Sequence, residues 1–537
     1  MEFRAFCRAA SMTTSPTPVN SMRQSADADY SPPVHPAQPR LTTACAFTLA
    51  LLTLTATVLR FLFLARKPFW FDECFSVEVA RLRWHDFALL LWRREANMSL
   101  YYMVLRGWLH FGSSPFFIRS LSVIISVATL PAIFWLATKL FDRRTALIAV
   151  ALISFNAYHI RYAQEARSYS LLVLLATLSS GFFVIALPKP MRRNRRAYSL
   201  TTILAVYAHL YALLLLATHW LSVRGLNQTR VCIQTLRRAW IWISLASLPL
   251  LIFAAKTGAG PIRWIQRPGI RDLIDFGERI AGNEGLPLLL LYSTACAIAV
   301  VPGRTSKILQ TNVNWYAWPV RFLLLWLIFP ITLIVLLSLA RPLFLGRYFI
   351  FCLPALVILA AAGIGKLGRP WLIALTLTAM LLLSLQGTLS YYSHDFDLDR
   401  DDSKASSNYV LDHALPGDAI LFHIAEARVP YEFFKSLRAN ESSPTVTTFP
   451  QIIYPRHDDD RLDYRDFTGK PAGEFVQSIS AHYSRLWVVL MSNGAPSHPD
   501  ATTMMLNQVL GASFAEVERK QFPQVEVRLY SKPAGLP

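Results

Sequence analysis

Long apolar runs separated by short polar loops make up residues 41–390, and a polar stretch follows them. A bilayer crossing takes roughly 17–25 mainly apolar residues as helix, because each backbone polar group must then be satisfied inside the segment. The runs begin with 41–65 and continue at 115–138, 145–158, 169–187, 241–255, 286–302, 322–340, 348–364 and 371–389. The stretch 199–222 is interrupted near its middle by Tyr207-Ala208-His209-Leu210-Tyr211, a pattern that predicts two short helices meeting at the membrane edge. The periodicity predicts about eleven crossings. After Tyr391 the strand-like runs Ala419–Ile424, Leu486–Met491 and Val525–Tyr530 alternate with helix-like ones, which predicts a small α/β domain. The expected fold class is therefore a mainly α, polytopic membrane helical bundle with a small outer α/β C-terminal domain. Residues 1–40, rich in Ser, Pro and Thr, read as a disordered cytoplasmic tail, 41–390 as the membrane domain and 391–537 as the outer domain.

Composition agrees. Of 537 residues, 53% are hydrophobic and 16% charged, with a mean hydropathy of +0.35, too apolar for a water-soluble globule. The net charge of +19 is concentrated in alternate loops: Lys139, Arg143 and Arg144; Lys189, Arg192, Arg193, Arg195 and Arg196; Arg224, Arg230, Arg237 and Arg238; Arg304 and Lys307; Lys366 and Arg369. The positive-inside rule places those loops in the cytoplasm, and arginines in short interspan loops argue against nucleic acid as a partner. The segments 66–114, 159–168 and 256–285 and the tail then face outward. Six scattered cysteines without a C-x-x-C pair argue against a disulfide framework or zinc knuckle. No Walker-type or Rossmann glycine motif is present, so the sequence offers no nucleotide site.

Unusual polar residues collect in the outward segments. Asp72 and Glu73 sit where the first loop leaves the membrane, about 100° apart on a helix and so suited to different tasks. The plainer use of Asp72 is as N-cap of a helix over 73–83. Between the third and fourth spans, Gln164, Glu165, Arg167 and Tyr169 open a helix at membrane depth, where ionisable groups are costly and usually functional. A Glu165–Arg161 or Glu165–Arg167 pair locking two helices is the structural alternative. Arg347, in Gly346-Arg347-Tyr348, suits bidentate phosphate binding or a snorkelling anchor. Glu95 is equally a solvated partner for Arg93 or Arg94. His209 is a candidate metal ligand, or simply a hydrogen-bonded imidazole. Asp395-Phe396-Asp397-Leu398-Asp399 lacks the glycine of a calcium loop and reads as a solvated linker.

Phe69-Trp70-Phe71-Asp72-Glu73, Leu100-Tyr101-Tyr102, Tyr162-Ala-Gln-Glu-Ala-Arg-Ser-Tyr169, Tyr207-Ala-His-Leu-Tyr211 and Gly346-Arg-Tyr348 follow one another in an order that resembles the bacterial polytopic glycosyltransferases of the C-type fold. The likeness is to the family-39-like group with an RgtA/B/C/D-like domain, and more distantly to protein O-mannosyltransferases and the lipid A aminoarabinose transferase. It covers 41 to about 390 and, more loosely, the outer α/β tail. The resemblance implies a multi-pass protein of the cytoplasmic (inner) membrane with its C-terminal domain extracytoplasmic. The donor would be a polyprenyl-phosphate sugar, and the acceptor a lipid, a protein or a polysaccharide. It implies Asp72 as general base in an inverting transfer. Glu95 stands where relatives carry a second loop acid before a Pro-Pro-Leu-Tyr-Tyr stretch; here Glu-Ala-Asn-Met-Ser-Leu-Tyr-Tyr lacks the prolines. Glu95 would orient the acceptor or, with His209, hold a divalent metal cation as the one optional cofactor. Arg167, Arg347 and Tyr348 would receive the donor phosphate, with Glu73, Gln164, Glu165 and Tyr169 in support. The rival reading is a secondary transporter or flippase of lipid-linked or envelope glycans, which would favour discontinuous helices and ionisable residues near the midplane.

Overall fold

A computed structural model describes residues 42–537 apart from 94, 189–190, 225–229, 258–264, 283–284, 302–316, 398–399, 439–443, 449–470, 492–493, 496–497 and 534–537. The stretch 1–40 and the basic residues Lys189, Arg304 and Lys307 thus lie outside the described residues. Helix α1 (Thr43–Phe61) is followed by three short helices in the first loop, α2 (Phe71–Arg81), α3 (Trp84–Arg93) and α4 (Ser99–Trp108). Then come α5 (Pro115–Leu140), α6 (Arg143–Phe155), α7 (Ala157–Ala163), α8 (Tyr169–Ala186), α9 (Arg192–Ala208), α10 (Ala212–Val223) and α11 (Arg230–Thr257). The bundle is completed by α12 (Ile270–Ala281), α13 (Leu286–Val300), α14 (Trp318–Ser338), a 3₁₀ segment Gly346–Cys352, α15 (Leu353–Gly365) and α16 (Pro370–Ser393).

Among the described residues seven helices are long and apolar enough to cross a membrane, and nine if each of two bent pairs counts as one span, against the eleven crossings expected from periodicity. The chain is a multi-pass membrane protein. Hydropathy does not register the breaks that lower the count. Between α6 and α7 the axis turns by 61° at Asn156, whose side chain accepts from His159 N (2.9 Å) and donates to Ile280 O and Ala281 O (3.1 and 2.9 Å). Arg60, fully buried on α1, takes up the carbonyls this break frees: it donates to Ile153 O and Ser154 O (both 3.1 Å), to Ser126 Oγ (2.8 Å) and to His159 Nδ1 (2.7 Å). A cation among carbonyls thus replaces the water that apolar surroundings deny. The turn that ends α12 uses Gly282 at φ +107°, where a Cβ would sit 2.7 Å from Asn156 Nδ2. The expected break between two short helices occurs at His209–Tyr211, with Leu210 N donating to Asn97 Oδ1 at 2.9 Å.

The tail adds α17 (Ser403–His413), β1 (Ala419–His423), α18 (Arg428–Leu437), β2 (Thr445–Thr448), α19 (Pro471–His482), β3 (Arg485–Met491), a two-residue pair β4 (Gly494–Ala495) and β5 (His498–Pro499), α20 (Ala501–Gly511), β6 (Ala515–Phe522) and β7 (Val525–Ser531). The main sheet has order β2-β1-β3-β7-β6, with β1 parallel to β2 and β3 and the rest antiparallel. The three strands expected from apolar runs are β1, β3 and β7. Strands β2 and β6 were not readable because both are polar: β6 is an edge strand whose exposed side chains show no alternation.

The apolar core does not stop at the last membrane helix. Val429, Phe433 and Phe434 of α18 are buried in the same cluster as the bundle, and Phe69 stacks on Phe433 with centroids 5.3 Å apart. Inside the bundle, close helix approach rests on small residues: a Cβ on Gly363 would lie 1.8 Å from Ala295 O, between α13 and α15. Gly363→Ala is expected to cost at least about 1–3 kcal/mol by overpacking, read as a lowered thermal unfolding midpoint in detergent.

Candidate active site

Three segments bring the candidate residues together: the first turn of α2, the connection 164–168 between α7 and α8, and the 3₁₀ segment after α14. Asp72 does not cap α2. The N-cap position is Trp70, which makes no side-chain cap bond, and the Phe71 N–H is taken by Asp401 from the tail, at 3.1 and 3.3 Å. The capping role open to Asp72 in the sequence therefore belongs to another residue, and its carboxylate is left for other partners.

Those partners are cations. Arg167 Nη2 and Arg347 Nη2 lie 3.4 and 3.7 Å from Asp72 Oδ2, an atom that is buried and makes no hydrogen bond among the described residues. Arg167 also donates to Asp72 O and Ser76 Oγ, both at 3.3 Å, which fixes its guanidinium against α2. Arg347 stands 5.4 Å from the Trp70 ring. Tyr348 packs on His209 (4.6 Å between centroids) and Tyr211 (5.2 Å), so the break between α9 and α10 forms one wall. Tyr211 N donates to His209 Nδ1 at 3.2 Å, which leaves the proton on Nε2. Trp70 Nε1, Arg167 Nε, Tyr169 OH and His209 Nε2 are likewise buried without a hydrogen-bond partner among the described residues. Each such atom costs about 1–3 kcal/mol, a cost that concentrates at sites prepared for a polar ligand.

Glu73 points the other way. It is fully buried and accepts both arms of Arg119 (2.8 and 2.5 Å) together with Ala166 N (2.8 Å). Arg119 also donates to Leu64 O, Lys67 O and Pro68 O at 2.8–3.1 Å. Gln164 donates to Arg60 O and Leu62 O at the end of α1 (3.0 and 2.7 Å). Glu165 pairs with Arg400 of the tail, whereas Arg161 pairs with Asp397 at 3.4 Å. Neighbours in 164–168 thus hold different elements: α1, the tail, α2 and the Asp72 carboxylate. Of the run Asp395–Asp399 read as a solvated linker, Asp395 is exposed as expected, whereas Asp397 is largely buried against Lys67 and Arg161; just beyond the run, Arg400 is only 5% exposed.

Glu95 accepts from Tyr102 OH at 3.2 Å, and both act electrostatically on Arg167, which places the second acid near the same centre. Of its two proposed arginine partners, Arg93 ends α3 and Arg94 lies outside the described residues. Among the described residues no group of three or more His, Cys, Asp or Glu that could hold a metal ion is found, and Asp72 faces guanidiniums. Sequence reasoning did not single out Trp70, Arg119, Arg400 or Asp401. A lone arginine inside the apolar run 115–138 was a usable signal for Arg119. Arg400 and Asp401 carry none, since only the fold brings them to α2.

The fold has solved counterparts. ArnT, the lipid A aminoarabinose transferase, from Cupriavidus metallidurans matches in its apo state with a TM-score of 0.59 at 11% identity, over 91% of this chain and 98% of that one. The same protein bound to undecaprenyl phosphate matches at 0.55 and 12% identity, over 90% and 97%. The oligosaccharyltransferase AglB from Archaeoglobus fulgidus, in complex with an inhibitory peptide and a dolichol-phosphate, matches at 0.50 and 9% identity, over 92% and 75%. The chain has the C-type glycosyltransferase fold. No family model and no curated protein sequence matches it. Within this C-type fold the two neighbouring acids of α2 divide their work, and stability measurements separate them. Glu73→Ala leaves the Arg119 cation buried without its anion and is expected to cost about 3–5 kcal/mol. Asp72→Asn, whose Oδ2 makes no hydrogen bond, is expected to lower the unfolding midpoint by clearly less in the same assay.

Proposed function

We propose that the chain is an integral glycosyltransferase of the cytoplasmic (inner) membrane that moves a sugar from a polyprenyl-phosphate donor to an acceptor hydroxyl on the outer face, with the α/β tail on that side. The observation that carries the reading is the half-buried Asp72 carboxylate, not a cap and with its buried Oδ2 not hydrogen-bonded, held between Arg167 and Arg347. The undecaprenyl phosphate in ArnT and the dolichol-phosphate in AglB support a lipid phosphate as the group those arginines meet.

In this reading the donor phosphate draws the two guanidiniums from Asp72, since an arginine fork matches two phosphate oxygens better than one carboxylate oxygen at 3.4–3.7 Å. Asp72 Oδ2 then accepts the proton of the acceptor hydroxyl as that oxygen bonds to the anomeric carbon. The bond from that carbon to the phosphate oxygen breaks in the same displacement, so configuration inverts. The departing lipid phosphate keeps the electron pair, and its charge is met by Arg167 and Arg347, with Tyr348 as a hydroxyl donor, in a chamber of low dielectric. Tyr102 holds Glu95 where an acceptor could be oriented. The bent pair α6–α7 is the feature that favours the rival, a transporter of lipid-linked glycans.

Asp72→Asn in proteoliposomes carrying a polyprenyl-phosphate sugar is expected to lower kcat by about 10²-fold or more while donor lipid still binds. Undiminished transfer removes the assignment, and lipid flux without transfer selects the transporter. Arg347→Ala is expected to raise KM for the donor by tenfold or more, as the loss of a charge-assisted phosphate contact of about 1.5–3 kcal/mol requires.

A further inference from the structure

The first turn of the helix that carries Asp72 is completed from more than 300 positions away in the chain. Phe71 N has no partner within the helix, and both carboxylate oxygens of Asp401 accept from it. Ser403 Oγ donates to the same carboxylate and fixes its orientation. Asp401 is 7% exposed, and burial pushes its carboxyl up to about 6; its oxygens accept from the first-turn N–H at the helix N-terminus, where an anion is favoured. Next to it, Arg400 lies 3.7 Å from the ring of Trp70, the N-cap residue, and pairs with Glu165, one position before the Ala166 N–H that binds Glu73. Asp397, three positions before Arg400, joins Lys67 and Arg161. Phe433 of α18 stacks on Phe69, two residues before α2.

We propose that Asp401 is a positioning residue of the Asp72 site, acting through the α2 first turn, and that the tail is thereby a working part of that site. The proposal rests on the transferase reading and specifies how its base is held. A side chain that merely stabilised the tail would change the amount of folded protein. One that aims Asp72 changes turnover at saturating donor, because a displacement of about 1 Å at a reacting group costs up to 10²-fold in rate.

The experiment uses the full chain in proteoliposomes with a polyprenyl-phosphate sugar, together with hydrogen exchange over residues 69–76. Asp401→Ala is expected to speed exchange in that segment and to lower kcat about tenfold, with KM for the donor changed less than twofold. Asp401→Asn keeps an acceptor for Phe71 N and is expected to restore both readouts. Ser403→Ala leaves the carboxylate in place but frees its rotation, and is expected to move the same readouts in the same direction by less. Should Asp401→Ala fail to fold, Ser403→Ala decides. Unchanged exchange and turnover in Asp401→Ala, or in Ser403→Ala when it must decide, overturns the proposal, as does an Asn variant as impaired as the Ala one. A wild-type chain that exchanges as expected but transfers no sugar removes the transferase reading and leaves the cap standing.

Discussion

One buried ion pair sets the geometry of this protein. Glu73 on α2 receives the fork of Arg119 from α5 and the Ala166 N–H from the α7–α8 connection, all without solvent. A buried pair adds little net stability over an apolar packing of the same shape, because desolvation offsets most of the attraction. What it gives is orientation. Arg119 spends its remaining donors on the carbonyls of residues 64, 67 and 68, so the chain leaving α1 can enter α2 along one path. Since adjacent helical residues point about 100° apart, fixing Glu73 inward turns Asp72 toward Arg167 and Arg347.

The resulting centre is out of electrostatic balance by design of its parts. One carboxylate faces two guanidiniums at distances too long for good hydrogen bonds, and several polar atoms around it are buried and unbonded. Such an arrangement is stable only because Glu73, Gln164 and the tail over-determine the surrounding backbone. It is suited to an anion that satisfies the arginines better than Asp72 does. The C-type fold supplies the scaffold, and the site supplies the chemistry.

Much of this was legible in the sequence, for identifiable reasons. Apolar runs of membrane length mark α1, α5, α8, α14, α15 and α16, and an aromatic-rich interruption marks the break at His209. Arg167 stood out because charge at membrane depth is costly, and Asp72 and Arg347 because they lie in outward segments within the motifs that carry the resemblance. The bend at Asn156 was not legible, since an asparagine inside an apolar run changes hydropathy little while its side chain captures three backbone groups. The partner of Glu165 was read as Arg161 or Arg167 because those lie within a helical turn. The structure pairs it with Arg400, and no local pattern encodes a contact across 235 positions. Capping of α2 was open to Asp72 as its plainer use for the same reason, and the first-turn N–H is instead met by Asp401.

The most direct measurement is a structure of the full chain in a lipid nanodisc with polyprenyl phosphate bound. The account predicts the phosphate within hydrogen-bond distance of Arg347 and Arg167, with Asp72 Oδ2 released from both and facing the space where a sugar would sit. A phosphate bound elsewhere, with the two arginines still on Asp72, contradicts it.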